Sequence, residues 1–516
     1  MKKTGFKPAL ALVVTLTMLP TGAIATDEAQ PEPGEAKCAE HRHSGGDWRS
    51  YGQNLRNTRA QPDEKKIGAG NVSGLTAKWA FSAVDEGGTG AFQTTPVVAE
   101  GCVYMTTGSG FIYALNADSG KVVWKGRYEK TVEGVCCGAT LFAPTVKDGV
   151  LYQLVSRNPE TAGSGKGPYA MALDAHSGKV LWRSKPVATE KGSYTNASAV
   201  LYKGLLLMGI SGPEGGDHNI GGYAILDAKT GEIIVRVHTV PHSMVEQGYG
   251  GGSIWTTAAV DVETGYAFAG TGQPSRPYAE HHRINAIVKI DLDRERSTFG
   301  RIVDSYKATP DSRTHNTAAC QEGPPELGHA TCTYTDVDFG ASPTLLRDSF
   351  GRQLVVEYQK SGILHAAYTD GMVGAWETML APFGHAPGNY ASTATDGTNI
   401  FGAGTYPGQV ISVHRDYGGY NWAVPVPTAF GANPLAYANG VVYHADGKGI
   451  LYALDSASGV PLLQRSMQAD AGGQCLNVGG GVAIARNIVY AVCGERGATF
   501  FGPSDVETGW VIAYKL

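Results

Sequence analysis

Short apolar runs alternate with polar turns along almost the whole chain, and one run–turn–run unit keeps returning. Residues 113–124 read YALNADSGKVVW, residues 171–182 MALDAHSGKVLW and residues 224–235 AILDAKTGEIIV. Weaker copies are VKIDLDRERSTF at 288–299, HAAYTDGMVGAW at 365–376, ISVHRDYGGYNW at 411–422 and YALDSASGVPLL at 452–463. The runs are too short for helices and rich in Val, Ile, Leu, Tyr and Trp, so they read as strands. Between them, Asp or Asn caps a turn and Gly supplies its positive φ. A hairpin cannot bury its own face, whereas four-stranded blades set radially can, and a repeat of this period predicts a propeller.

The chain ends on VIAYKL at 511–516, half of one more copy, while LTAKWAF at 75–81 is a strand without a partner nearby. Pairing the two closes the ring. Seven internal copies and this split one predict an all-β fold, an eight-bladed β-propeller of four-stranded antiparallel blades. Closure removes the exposed sheet edges.

Residues 1–25 read as a secretory signal: Lys2, Lys3 and Lys7, an apolar core, then Ala23-Ile24-Ala25. Residues 26–46 read as a flexible leader and 47–516 as a single propeller domain, which predicts a periplasmic protein with no integral membrane segment. Losing three lysines and no acids moves the formal charge from −5 to about −8. That acidity disfavours nucleic acid and anionic membranes. The 8 cysteines in an exported chain favour disulfides. Cys320–Cys332 and Cys475–Cys493 are plausible pairs, leaving Cys38 and Cys102 to each other. Adjacent Cys136-Cys137 either close a strained ring of their own, remain buried thiols, or bridge to different partners. No C-x-x-C-H occurs, so no c-type haem is attached to this chain.

A secreted propeller with these repeats and a Cys-Cys pair before the second copy resembles the pyrroloquinoline quinone (PQQ) alcohol dehydrogenases, the quinoprotein type of propeller. The likeness spans nearly all of the chain after residue 25. It implies that Cys136 and Cys137 form a vicinal disulfide flat against the quinone and that Trp255 stacks on its other face. In Gly209-Ile210-Ser211-Gly212-Pro213-Glu214, Ser211 and Gly212 would touch the quinone and Glu214 would ligate Ca²⁺, a hard ion suited to oxygen donors. Gln273 in Gly270-Thr271-Gly272-Gln273-Pro274 follows Trp255 at the family's spacing, but stands where the family has Asn, so it is a metal ligand on a longer arm or lies behind the ligands.

Asp338 in Asp338-Phe339-Gly340 matches the catalytic base, which also faces the metal, with Asp336 as a nearby rival. Gly340 stands where lanthanide-using members carry a further Asp, which favours Ca²⁺. Lys360 in Tyr358-Gln359-Lys360-Ser361-Gly362 matches the cation that stabilises developing charge. Asn389 resembles a further quinone contact, and Asn196, in place of a family Thr, another. Gln93 and Phe142 replace residues that the methanol-oxidising members use to hold the quinone's carboxylates. The long polar insertion at 304–335 reads as a lid over the substrate mouth.

The resemblance implies a PQQ- and Ca²⁺-dependent alcohol dehydrogenase that passes electrons to an external soluble cytochrome c. Its substrate would be a bulky or polymeric secondary alcohol, because GTGQP and YQKSG look closest to polyvinyl-alcohol dehydrogenases. One rival is a non-enzymatic propeller acting as a scaffold or sensor; another is a quinoprotein for sugars or other alcohols.

Overall fold

The computed structural model describes residues 1, 31–40, 44–86, 92–129, 142–157, 166–190, 192–212, 220–275, 281–307, 337–381, 391–404, 408–426, 433–473, 475, 479–494 and 509–516. Eight antiparallel blades of four strands stand around an axis as blades 1 to 8, the first extended by a short fifth strand. Blade 3 is Val200–Tyr202, Leu205–Ile210, Gly222–Asp227 and Ile233–His238; blade 4 is Ala259–Asp261, Tyr266–Gly270, Ala286–Asp291 and Ile302–Lys307. Blade 5 is Thr344–Arg347, Gln353–Tyr358, Ile363–Tyr368 and Val373–Met379; blade 1 is Val97–Ala99, Cys102–Thr106, Phe111–Asn116 and Val122–Arg127; blade 2 is Thr145–Lys147, Val150–Val155, Tyr169–Asp174 and Val180–Arg183. Blade 6 is Ala394–Thr395, Asn399–Gly404, Gln409–His414 and Tyr420–Pro425, and blade 7 is Ala436–Ala438, Val441–Ala445, Ile450–Asp455 and Pro461–Ser466, each blade named from its inner strand outward.

The ring closes as the sequence predicts. Blade 8 takes its outermost strand, Thr76–Ser82, from the N-terminal side, and it pairs with Gly509–Lys515, placing Phe81 opposite Val511. The inner strands of blades 8 and 1, Ala483–Ala485 and Val97–Ala99, lie side by side.

The repeated unit has a direct physical reason. In the turn of 113–124, Asn116 Oδ1 accepts hydrogen bonds from the backbone of Asp118 and Ser119; Asp174, Asp227 and Asp455 do the same in their copies. The turn glycine after the cap sits under the tryptophan ending the preceding copy at Gly178, Gly231, Gly418 and Gly459. A Cβ on Gly178 would come within 2.6 Å of the Trp124 ring, and one on Gly459 within 2.7 Å of Trp422. Each of these indoles also donates its N–H to the same turn, Trp124 to the Ala175 carbonyl at 2.8 Å and Trp422 to that of Ser456 at 3.0 Å. Where both are present, tryptophan and glycine therefore lock one blade to the next.

Residues 45–61 cross the channel below the starts of the inner strands. Their backbone bonds to blade 8 at Arg486, blade 1 at Val98, blade 2 at Val146, blade 4 at Val260, blade 5 at Leu345, blade 6 at Thr395 and blade 7 at Tyr437. At the centre Arg59 is fully buried, with its guanidinium on the carbonyls of Tyr51, Leu435 and Val482. This segment forms a floor.

Cys38–Cys102 and Cys475–Cys493 are bonded. Part of the polar leader is tied down: Glu32–Pro33 pairs with the outer strand of blade 1, and Cys38 anchors the leader to the second strand of that blade. Cys320, Cys332, the lid segment 308–335 and most of the signal segment lie outside the described residues. Among the described residues no helix is long and apolar enough to cross a membrane.

Candidate active site

Site residues come from two places in each of three neighbouring blades: just before the inner strand, and just after the second strand. Both places open on the same end of the channel. In blade 3 these are Asn196 and Ser211–Gly212, in blade 4 Trp255 and Gln273, and in blade 5 Asp338 and Lys360. Backbone bonds hold each pair: Tyr194 bridges Ser211, Gly272 N–H donates to the Ser253 carbonyl at 2.8 Å, and Lys360 N–H donates to that of Asp338 at 3.0 Å.

The blades are stitched to one another as well. Ile254 N–H donates to the Ile210 carbonyl, and Phe339 N–H to that of Thr271. Gly209 must lack a side chain, since a Cβ there would stand 2.3 Å from the Ile254 carbonyl oxygen. A polar belt runs beneath the site: Ser198 N–H donates to Thr257 Oγ1, Thr257 N–H to Ser342 Oγ, and Ser342 N–H to Ser392 Oγ. Sequence reasoning missed this belt, although a Ser or Thr shortly before each of these inner strands is a visible signal.

The centre is a tight cluster. Asp338 is 1% exposed, Lys360 4% and Trp255 9%. Asp338 Oδ1 accepts the Gln273 backbone N–H at 2.7 Å, while Lys360 Nζ lies 3.6 Å from Asp338 Oδ2. The same ammonium stands 4.9 Å from the centre of the Trp255 ring, a cation–π contact. A Cβ on Gly272 would be 3.3 Å from Asp338 Oδ2, so the glycine keeps room beside the base.

The structure thus unites Trp255, Gln273, Asp338 and Lys360, which are scattered over 106 positions of sequence. Asn196 and Ser211 stand on the adjoining blade, both buried, and Asn196 Oδ1 has no hydrogen-bond partner among the described residues. Cys136, Cys137, Glu214, Asp336 and Asn389 lie outside the described residues. Among the described residues no three His, Cys, Asp or Glu side chains group as a metal site.

These residues fit a flat, anionic quinone. Trp255 gives an aromatic face, Lys360 a buried cation on that face, and Asn196 an uncommitted buried amide oxygen. Asp338 and the Gln273 side chain are of the oxygen-donor type that Ca²⁺ takes.

Known proteins resemble this chain in sequence and in fold. The PQQ_2 family model, described as outer membrane protein assembly factor BamB, matches residues 66–273 and 374–512. Polyvinylalcohol dehydrogenase from a Pseudomonas species is 26% identical over 91% of this chain and 77% of that protein. Quinohemoprotein alcohol dehydrogenase ADH-IIG from Pseudomonas putida is 28% identical over 60% of this chain, but only 45% of its own length is spanned. The solved structure of the Comamonas testosteroni quinohemoprotein alcohol dehydrogenase superposes with a TM-score of 0.67 at 18% identity, covering 91% of this chain and 80% of that one.

Proposed function

The chain belongs to the PQQ-repeat β-propeller family, and on that footing we propose that it is a periplasmic, PQQ- and Ca²⁺-dependent alcohol dehydrogenase. The observation that carries this reading is the buried Trp255–Lys360–Asp338 cluster: an aromatic face, a cation and a base within one contact network. Trp255, Asn196, Ser211, Gly212 and Lys360 would hold the quinone, joined by Cys136, Cys137 and Asn389; Asp338, Gln273 and Glu214 would hold the metal. When bound, PQQ supplies the two-electron acceptor and Ca²⁺ the Lewis acid.

The chain's own residues do the rest. Asp338 takes the hydroxyl proton of the alcohol as general base. The Gln273 N–H fixes one of its oxygens, leaving the other toward Lys360. Lys360 offsets negative charge as it develops in a site nearly closed to water. Trp255 fixes the plane in which the flat ring lies.

The substrate proposed is a bulky or polymeric secondary alcohol, in line with the polyvinylalcohol dehydrogenase likeness. Electrons would leave to a separate soluble cytochrome c. The test is dye reduction by purified protein with a panel of primary, secondary and polymeric alcohols. Reduction should need both PQQ and Ca²⁺ and favour secondary alcohols. Asp338→Asn should cut the rate by at least about a hundredfold with PQQ still bound. No reduction with any alcohol would leave the scaffold reading in its place.

A further inference from the structure

Behind the base, between blades 4 and 5, three titratable residues stand in one row. Glu357 on the second strand of blade 5 lies directly opposite His365 on the third, and His365 lies directly opposite Glu377 on the fourth. Directly opposed residues on neighbouring strands point to the same face, about 5 Å apart. The row therefore runs radially, from the wall of the site to the outer edge of the blade.

Its inner end is a carboxyl in an unusual place. Glu357 is 1% exposed, and neither of its oxygens has a hydrogen-bond partner among the described residues. Burying such a group without a partner costs several kcal/mol, and Val355, on the same face of the strand, shows what packing alone would select. Room is made for it by Gly270, where a Cβ would sit 1.9 Å from Glu357 Oε1. Two residues on, Gly272 gives space to Asp338 in the same way. Gly270, at the end of its strand, and Gly272, just beyond it, thus yield to the two carboxyls in turn.

The middle and outer groups are already connected. His365 Nε2 lies 3.3 Å from Gln359 Oε1 and Nδ1 lies 3.1 Å from Glu377 Oε1. Phe339, next to Asp338, packs its ring on His365 at 5.4 Å. Tyr306 from blade 4 donates its hydroxyl to Glu377 at 2.9 Å, and the Glu377 side chain is 52% exposed. Among the described residues, Tyr306 and the inner Asp338 and Lys360 are the other titratable groups beside the row.

We propose that Glu357, His365 and Glu377 form a proton exit from the buried site to the outer surface of the propeller. This rests on the dehydrogenase reading. Oxidising one secondary alcohol to a ketone releases two electrons and two protons. The electrons pass to the quinone and then, one at a time, to an external one-electron acceptor; the protons must reach solvent, and Asp338 is buried. Burial holds the Glu357 carboxyl well above the usual carboxylate range, so it carries a proton to hand on and takes one back. His365, directly opposite Glu357 on the neighbouring strand, takes that proton once its Nε2 turns from Gln359 Oε1, and passes one from Nδ1 to Glu377, which delivers to water.

Wild type, Glu357→Gln, His365→Asn and Glu377→Gln, each loaded with PQQ and Ca²⁺, are compared for alcohol-driven dye reduction in H₂O and D₂O, with and without imidazole. Glu357→Gln and His365→Asn should lower kcat by about tenfold or more at unchanged KM, enlarge the solvent isotope effect, and recover rate with imidazole. Glu377→Gln, where water reaches, should lose less. Infrared spectra of the cofactor-free protein should show a buried protonated carboxyl that Glu357→Gln removes. An unchanged kcat, a loss of rate with neither isotope change nor rescue, or absence of that carboxyl band overturns the relay while the dehydrogenase stands. A wild type that reduces no dye overturns both.

Discussion

His444, on the second strand of blade 7, is fully buried, and neither ring nitrogen has a hydrogen-bond partner among the described residues. Burial holds its pKa down at about 4, against an ordinary value of 6.5. Between those values the unfolded chain binds the proton and the folded one does not, so stability falls as pH drops through that window. Urea melts should lose up to about 3 kcal/mol from this group between pH 6.5 and 4, and His444→Leu should flatten that part of the profile. An unchanged profile in the variant would contradict the assignment. At this scale the site was partly legible. Trp255 stood out because it ends no repeat, and Asp338 and Lys360 because of the turns they sit in. The Glu357–His365–Glu377 row was not legible, because opposition across strands depends on register, which single residues do not reveal.

The blades were legible as elements because one physical lock, the turn glycine under the preceding tryptophan, writes itself into the sequence each time. Where the lock changes, so does the copy. In blade 4 the connection from Asp291 to Ile302 is long, and Gly300 sits against Val235 instead of an indole; residues 288–299 read as a degenerate copy for that reason. The split blade carries a direct test. Val511, Ile512, Ala513 and Tyr514 are all fully buried, and at roughly 1.5–3 kcal/mol for each large side chain they rival the 5–15 kcal/mol total of an ordinary domain. Removing residues 511–516 should abolish cooperative melting or lower Tm by more than about 10 °C. A melting curve like that of the intact chain would argue against closure by this strand.

For the whole molecule, period and closure predicted the ring, while the floor went unseen. Residues 45–61 carry no repeat, and their bonds are made by backbone to blades far away in sequence. With that floor beneath it, the site faces the end of the channel where Asn196, Trp255 and Asp338 stand. The account's central claim is that this end holds PQQ. Isothermal titration of PQQ in the presence of Ca²⁺ tests it most directly. One site per chain is expected, weakened by about tenfold or more in Trp255→Ala through loss of the aromatic face and kept in Asp338→Asn. No binding, or binding indifferent to Trp255→Ala, would contradict it.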